Sequence, residues 1–413
     1  MSPEARKTIV NLITEYSKNG LSVKKSCKVL DISDSTFYEW KHNPDQVDKR
    51  IKGNFDPKQR KVTNPQTEMA LNISERQEIV KQLKDPKYAH LSIRQLHQTM
   101  LNERGKYLAS VSSYYRIARE EGLINHAAKK RVNRFPQDKI DFERRKSCCA
   151  TEPNQVWMWD ISYFSYRNDK SFVYLFAAVD LYSRKIVAAK FYRDQCADSA
   201  VEFFKTAFTN NGISPLNNLV IHSDNGAAMR SELTVNLFKQ YGAQLSLSRP
   251  SVSNDNPFIE SLFRSLKYPY NLDVSSLDKL EQCNVRLDRI VQSYNNDRPH
   301  SSLNFVPPAV RHAVKEDEKR YLAKCRQAHE EHFKQHPERY IAGKMRAYEP
   351  EGAQYLNPSA EMVINDHKEM SPSKSLKTWA KRLEKNHVIE SQDGGFVLPE
   401  RENSESKANG GSR

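Results

Sequence analysis

Three apolar runs in the middle of the chain constrain its fold more than any other feature. QVWMWDISYFSY, SFVYLFAAVDLY and KIVAAKFYR concentrate β-branched and aromatic residues, and short polar segments such as RNDK separate them. Runs of this composition, bounded by turn residues, are typical of β-strands. The sequence therefore predicts three consecutive antiparallel strands over residues 155–193.

The pattern after these strands alternates between helix and strand. ADSAVEFFKTAFTNNG and ELTVNLFKQYG are helical in pattern, whereas NLVIHSD and AQLSLS are short apolar strands. A further long helix is predicted from Pro257 onward. The order βββαβαβα predicts an α/β domain, a mixed sheet with helices on its faces, over residues 152–309.

Three carboxylates lie where this domain can bring them together. Asp160 is predicted to end the first strand, Asp224 follows the fourth strand in IHSDNG, and Glu260 opens the last helix. If the first and fourth strands are neighbours, the two aspartates meet at one edge and the helix brings the glutamate across from them. Each carboxylate alone is equally well explained as a capping or surface residue. Burying the charged Asp160 at the end of the apolar run WMWD nevertheless costs free energy unless the charge is paired or bound to a metal.

Clustered carboxylates suit magnesium, which prefers oxygen ligands and keeps several waters. Two such ions about 4 Å apart clamp an in-line displacement at phosphorus, where one activates the attacking oxygen and the other stabilises the departing oxygen. The carboxylates therefore predict phosphoryl transfer with no side chain as nucleophile.

The predicted helix around Glu260 carries three further polar residues. Asn256, Arg264 and Lys267 lie four before, four after and seven after the glutamate, which places them close to one face at 3.6 residues per turn. The hypothesis is that they bind DNA phosphates beside the carboxylates. The alternative is a helix salt pair that neutralises the glutamate.

The charge balance favours nucleic acid as the partner. The 413 residues include 65 lysines and arginines against 51 aspartates and glutamates, a formal net charge of +14. No apolar run approaches the roughly 20 residues of a membrane-spanning helix, and MSPEARKTIV lacks an apolar signal core. The expectation is a cytoplasmic protein with no membrane partner. The six cysteines lack the spacing of a zinc site.

Two helical blocks precede the α/β domain. Residues 1–45 are predicted to form three short helices, of which the last contains Ser35, Thr36 and Lys41 as candidates for contacts in a DNA groove. This block is interpreted as a helix-turn-helix domain, with a three-helix bundle without a DNA role as the alternative. Residues 74–126 are predicted as a second helix-turn-helix domain, with two helices around NERGKYLA.

The remaining segments are polar. Residues 46–73 and 127–151 are rich in basic residues, which predicts linkers that are solvated or track phosphates. Residues 310–365 are predicted as a helical and extended region, and residues 366–413 as a polar, partly disordered tail.

Around the carboxylates the sequence resembles the integrase-like transposases of bacterial insertion sequences, most closely the IS-three family, and more distantly retroviral integrases. Asp224 and Glu260 leave 35 residues between them, the spacing that defines this group. HSDNG, DNPFIESLFRSLK and YNNDRPHSSLNFVPP follow in the family's order. The resemblance extends over about residues 152–309, without the His-His-Cys-Cys zinc module of the retroviral proteins.

The resemblance implies a ribonuclease-H-like core and a Mg-dependent DDE transposase that cleaves at terminal inverted repeats and joins the 3′-hydroxyl to target DNA. Asp160, Asp224 and Glu260 would be the catalytic and metal-binding residues for two magnesium ions, with manganese as a substitute. A homo-oligomer, at least a dimer on double-stranded DNA and associated with a bacterial nucleoid, is also implied. Arg298 and His300 lie in YNNDRPH, which matches a motif that follows the catalytic core in this family. Contact with DNA and packing within the protein are both possible roles for these two residues.

Two other functions would use the same features. A transposase-derived, site-specific DNA-binding regulator would have lost catalysis, and a related nuclease would cut without joining strands. The retained carboxylates disfavour the regulator, and the two DNA-binding blocks disfavour the nuclease. Strand joining distinguishes all three functions.

Overall fold

The computed structural model describes most of the chain and divides it into two compact units, Met1–Thr67 and Glu68–Arg413. The described residues are 3–30, 32–42, 70–124, 147–167, 171–248, 256–340, 345–369, 373–385, 388–392 and 395–397. Most of both predicted basic linkers, and the tail from residue 398, lie outside the described residues. Within the described ranges, no helix is long and apolar enough to cross a membrane.

The described part of the first unit, up to residue 42, contains three helices, as the sequence predicted: α1 (Pro3–Lys18), α2 (Val23–Val29) and α3 (Asp34–His42). Ile13, Cys27 and Phe37 form its buried centre, one residue from each helix. Ser33 caps α3, because its Oγ accepts a hydrogen bond from the backbone N–H of Thr36 at 3.1 Å.

The second helical block opens the larger unit and has three helices rather than two: α4 (Ile73–Lys84), α5 (Ile93–Arg104) and α6 (Val111–Glu120). Ser92 and Gln95 form a capping box at the start of α5, and Gly105 ends this helix in the left-handed conformation at a φ of 58°. Every residue from 95 to 101 is buried, so α5 packs on more than one side.

A five-stranded mixed sheet follows. Its strands are β2 (Val156–Tyr166), β3 (Ser171–Asp180), β4 (Ile186–Tyr192), β5 (Val220–Ser223) and β6 (Gln244–Leu247). A short strand that precedes them, β1 (Cys148–Ala150), is not part of this sheet. Their order is β4-β3-β2-β5-β6; β2, β3 and β4 are antiparallel, and β5 and β6 run parallel to β2. This is the mixed sheet that the sequence pattern predicted, in the ribonuclease-H-like arrangement that the family resemblance implies.

Helices cover both faces of the sheet: α7 (Ala197–Asn210), α8 (Ala227–Arg230), α9 (Glu232–Gln240), α10 (Pro257–Lys267) and α11 (Leu280–Asn296). Successive side chains of a strand point to opposite faces. Val156 and Met158 of β2 accordingly belong to the core with α10 and α11, whereas Trp157 and Trp159 belong to the core with α7 and α9. The central strand is therefore buried on both faces, which explains its nearly continuous apolar run.

The chain continues into a C-terminal lobe made of α12 (Pro308–His312), α13 (Lys315–Gln335), β7 (Gln354–Leu356), α14 (Ala360–Glu369), α15 (Lys374–Lys385), β8 (Glu390–Gln392) and β9 (Gly395–Val397). β7 pairs antiparallel with β1. Helix α15 lies within the segment predicted as a polar, partly disordered tail; its Leu376, Trp379 and Leu383 recur at helical spacing and are buried in the lobe's own core.

A buried ion pair joins this lobe to the sheet. The side chain of Arg311 is 0% exposed and that of Glu318 is 3% exposed. Arg311 donates to both carboxylate oxygens of Glu318, at 2.7 and 3.0 Å, and to the carbonyl oxygens of Tyr182 and Gly352. One guanidinium thus connects the end of β3, α13 and the segment before β7.

Candidate active site

Asp160 and Asp224 lie at the same level on two neighbouring strands. β2 and β5 are parallel, and Met158 opposite His222 is their last pair. Two residues further along each chain are Asp160 and Asp224, so the strand register sets the two carboxylates side by side. The predicted neighbourhood of the first and fourth strands is confirmed.

The position of Asp160 within its strand differs from the prediction. β2 does not end at Asp160 but continues to Tyr166, because its pairing with β3 extends over the whole hairpin and places Asp160 opposite Ala177. Asp224, by contrast, directly follows the last residue of β5 as predicted.

Glu260 approaches from the helix that covers this face of the sheet. Asp160 follows Met158 by two residues and therefore points to the same face. Ile259, Leu262 and Leu266 of α10 are buried in the core on that face. Glu260 lies in the first turn of α10, as predicted, and its side chain is exposed.

A tight turn fixes the carboxylate of Asp224. Its Oδ1 accepts a hydrogen bond from the N–H of Gly226 at 3.0 Å. A Cβ atom at Gly226 would lie 3.2 Å from that oxygen and 2.8 Å from Met229 Sδ, so a larger residue at this position would have to displace both side chains. Asn225 closes the turn by donating to the carbonyl oxygen of Ser248 at 2.6 Å.

His222 supports this edge of the sheet and was missed by the sequence analysis. The ring is buried between two hydroxyls, with Nδ1 2.9 Å from Ser246 Oγ and Nε2 3.2 Å from Ser248 Oγ. It thereby joins the ends of β5 and β6 beside Asp224. A histidine inside the apolar strand NLVIHSD was the available signal.

The electrostatics of the site favour a bound cation. Burial, together with the negative charges of Asp224 and Glu260, raises the pKa of Asp160 from 3.8 to about 7, although a hydrogen bond from Ile161 N–H opposes the shift. Partial desolvation of its carboxyl group also raises the pKa of Glu260. A positive charge at this place would relieve the cost of ionising Asp160 and Glu260.

The donor set fits a hydrated magnesium ion. Among the described residues, no three His, Cys, Asp or Glu side chains are close enough to enclose an ion on their own. Magnesium is commonly held by one or two carboxylates and otherwise by water and substrate oxygens, so an open group of carboxylates meets its needs.

Asn256 does not lie where the sequence analysis expected it. It is 5% exposed, and its Nδ2 donates to the carbonyl oxygen of Trp159 at 3.2 Å. Asn256 Oδ1 is buried without a hydrogen-bond partner in the described structure. In this arrangement the residue ties the start of α10 to β2, and the DNA contact proposed for Asn256 stays a prediction.

Arg264 and Lys267 are both exposed on α10, as the DNA hypothesis requires. Lys267 Nζ donates to Ser162 Oγ at 2.9 Å and lies 4.7 Å from the centre of the Phe164 ring. Burial lowers the pKa of Lys267. No ion pair with Glu260 is present among the described residues, so the salt-pair alternative has no support.

Arg298, Pro299 and His300, in the motif YNNDRPH, contact other parts of the protein. The guanidinium carbon of Arg298 lies 5.3 Å from the centre of the Tyr270 ring. His300 Nδ1 is 2.9 Å from Ser302 Oγ, and burial lowers its pKa to about 3. Pro299, between them, accepts a hydrogen bond from Gln95 Nε2 of α5 at 2.9 Å. Of the two roles left open for this motif, the geometry supports packing.

The candidate DNA contacts in the first unit have mixed surroundings. The hydroxyls of Ser35 and Thr36 both hydrogen-bond Ser33 Oγ, at 2.8 and 2.7 Å, and so belong to the cap of α3. Lys41 is exposed in the last turn of the helix. Their role in DNA binding stays a prediction.

A buried arginine below α10 was also missed. Arg184 is 3% exposed, and its guanidinium carbon lies 3.6 Å from the centre of the Phe258 ring, two residues before Glu260. It donates to Gln354 Oε1 of β7 at 2.9 Å, and burial lowers its pKa to about 9. Arg184 therefore contacts both the first turn of α10 and the C-terminal lobe.

Comparison with known proteins agrees with this architecture. Two family models described as integrase core domain match residues 150–253 and 241–308. The two matches overlap and together cover residues 150–308.

The curated relatives are transposases. The transposase of insertion sequence IS904 from Lactococcus lactis subsp. lactis (strain IL1403) is 30% identical over 159 residues, which are 38% of this chain and 61% of the relative. InsF of IS3A from Escherichia coli (strain K12) is 30% identical over 118 residues, 29% of this chain and 40% of the relative. The chain spans less than two thirds of these relatives' length. The predicted resemblance to insertion-sequence transposases of the IS-three family is confirmed.

Among solved structures, the catalytic core domain of HTLV-2 integrase in complex with magnesium matches with 18% identity and a TM-score of 0.31. The match covers 39% of this chain and 98% of that one.

Proposed function

We propose that this chain is a DNA transposase that cleaves DNA and joins strands at Asp160, Asp224 and Glu260. The observation that carries the proposal is the register of β2 and β5, which aligns the two aspartates beneath the helix that bears the glutamate. A structural role alone does not account for Asp160, whose ionisation is disfavoured by burial and by the negative charges of Asp224 and Glu260.

The chain's residues would act by binding and orienting. Asp160, Asp224 and Glu260 would hold two magnesium or manganese ions, which would supply the Lewis acidity for in-line displacement at phosphorus. Asp160, near its pKa at neutral pH, has to lose its proton before it can serve as a ligand. Lys267 and Arg264 line the exposed side of α10 and would hold the DNA phosphates.

The proposed substrate is double-stranded DNA, comprising the terminal inverted repeats of an insertion sequence and a target. The helix-turn-helix domains at residues 1–45 and 74–126 would read the ends, and Ser35, Thr36 and Lys41 are the candidates in the first domain. The net charge of +14 supports a polyanionic partner. We place the protein as an oligomer, at least a dimer on DNA, in the bacterial cytoplasm on the nucleoid.

The test uses labelled DNA that carries the candidate terminal repeats. Purified protein is incubated with it in magnesium or in chelator, and the products are resolved on a denaturing gel. Metal-dependent nicks and joined strands are expected, and both should disappear in Glu260→Gln. Glu281→Gln is the matched control, because Glu281 is an exposed glutamate in the first turn of α11.

The other outcomes identify the rival functions. Binding of the ends without cleavage in any metal would support a DNA-binding regulator. Metal-dependent cutting that never yields a joined product would support a nuclease.

A further inference from the structure

Helix α15 presents a row of lysines on its exposed face. Leu376, Trp379 and Leu383 bury its other face in the C-terminal lobe. Lys377, Lys381 and Lys385 are all exposed and follow one another at intervals of four residues. Residues four apart are neighbours on a helix surface, so the three ammonium groups form one row. We name Lys377, Lys381 and Lys385 the lysine row.

The lysine row is not balanced by acidic groups. The twelve residues of α15 include five basic residues and one acidic residue, Glu384. Lys374, one turn before the row, pairs with Glu351 at 2.5 Å. No ion pair to any member of the row occurs among the described residues. Like charges four residues apart destabilise a helix, and a bound polyanion would remove this repulsion between the lysines.

We propose that the lysine row binds the phosphate backbone of double-stranded DNA. At a rise of about 1.5 Å per residue, neighbouring lysines are about 6 Å apart and the row is about 12 Å long. Double-stranded DNA carries one negative charge per about 1.7 Å of its axis, so each lysine can meet a phosphate. Lysine offers a point charge rather than a planar fork, which suits contacts that do not depend on base sequence.

The lysine row is attached firmly to the integrase core. β7 of the lobe pairs with β1, immediately before the core, and Gln354 of β7 receives the hydrogen bond from the buried Arg184. DNA held by the row would therefore keep a defined position relative to the catalytic edge of the sheet. This inference rests on the proposed function to the extent that both require DNA as the partner.

The test measures how DNA affinity depends on salt. The full-length chain with Lys377→Gln, Lys381→Gln and Lys385→Gln is compared with the unsubstituted chain on a duplex of random sequence. The matched control carries Lys319→Gln, Lys324→Gln and Lys334→Gln, which remove three exposed lysines from α13, where acidic residues are interspersed. Thermal unfolding verifies that each variant is folded.

In the lysine-row variant the slope of log K against log salt should become less negative by about 2.7, since each phosphate contact contributes about −0.9. This corresponds to about a 100-fold loss of affinity near 0.15 M salt. The control should change the slope by less than one contact, and replacement of the row by arginine should restore the slope.

An unchanged slope in the lysine-row variant, with normal DNA binding by the unsubstituted chain, would overturn this inference and leave the proposed function standing. A row variant that loses binding to anionic vesicles but not to DNA would also overturn it, in favour of a lipid surface. Failure of the unsubstituted chain to bind DNA would instead count against the proposed function itself.

Discussion

The side-chain amide of Asn256 donates a hydrogen bond of 3.2 Å to the carbonyl oxygen of Trp159. Trp159 immediately precedes Asp160, and Asn256 stands four residues before Glu260. This bond therefore connects the strand that bears one carboxylate to the start of the helix that bears another. We infer that Asn256 is a positioning residue that sets the height of Glu260 above the sheet.

Asn256→Ala should impair chemistry while leaving DNA affinity nearly unchanged. We expect at least about a tenfold loss in strand joining, and a loss of about 1–3 kcal/mol in stability, because a buried carbonyl oxygen loses its donor. Joining rates and equilibrium DNA binding are measured in parallel. Asn296→Ala on the exposed end of α11 is the control. Weakened binding with an unchanged rate at saturating DNA would restore the original hypothesis of a DNA contact.

The raised pKa of Asp160 predicts a pH-dependent stability of the metal-free protein. Between pH 3.8 and about 7 the folded state holds a proton on Asp160 that the unfolded state has released, so stability falls as the pH rises through this range. Asp160→Asn removes the effect. The variant should be more stable than the unsubstituted protein above pH 7, by at most about 4 kcal/mol, since each pH unit between the two pKa values is worth about 1.4 kcal/mol.

Urea unfolding in chelator across this pH range measures the difference. The difference in stability between Asp160→Asn and the unsubstituted protein should decrease as the pH approaches 4. A difference that stays constant with pH would mean that Asp160 carries no raised pKa.

Magnesium should stabilise the folded protein through the same carboxylates. A ligand that binds only the folded state raises stability by about 2.7 kcal/mol at 100 times its Kd. We expect the unfolding midpoint of the unsubstituted protein to rise with magnesium concentration, and Asp224→Asn to lose most of the rise. Asp198→Asn, on the first turn of α7, is the control. Equal stabilisation of both variants would place the ion elsewhere.

The buried pair of Arg311 and Glu318 predicts strong coupling between the core and α13. Arg311→Met alone should destabilise the protein by about 3–5 kcal/mol, because it leaves a carboxylate buried without its partner. Arg311→Met combined with Glu318→Leu should recover much of this loss. Urea unfolding of the two single variants and the double variant gives the coupling energy. Additive losses would show that the two residues act independently.

The fold was largely predictable because its signals are local. Apolar alternation and β-branched content mark β2 through β6, and the register that joins Asp160 to Asp224 follows once these strands are neighbours. Asn256 was misplaced for a specific reason. It sits at the N-cap of α10 with a φ of −123°, so the helical periodicity that placed it on the face of Glu260 does not yet apply there.

Other features depend on contacts between distant segments. Arg184 contacts Phe258 and Gln354, which belong to α10 and the C-terminal lobe and are distant from it in sequence. The residues next to Arg184 in the sequence do not indicate that it is buried. α15 was overlooked because its three apolar anchors are spread among lysines in a segment of low overall hydrophobicity. The helical spacing of these apolar residues, rather than the composition of the segment, indicates a helix with one buried face.

The most direct test of the account is the joining of a pre-cleaved DNA end to a target plasmid by Asp160→Asn, Asp224→Asn, Glu260→Gln and the triple variant. Residues that act as one unit give strongly non-additive losses. We expect each single variant to fall to the background seen in chelator, with the triple variant no lower and Glu281→Gln unaffected. Joining by any single variant within a few-fold of the unsubstituted protein would contradict the central claim.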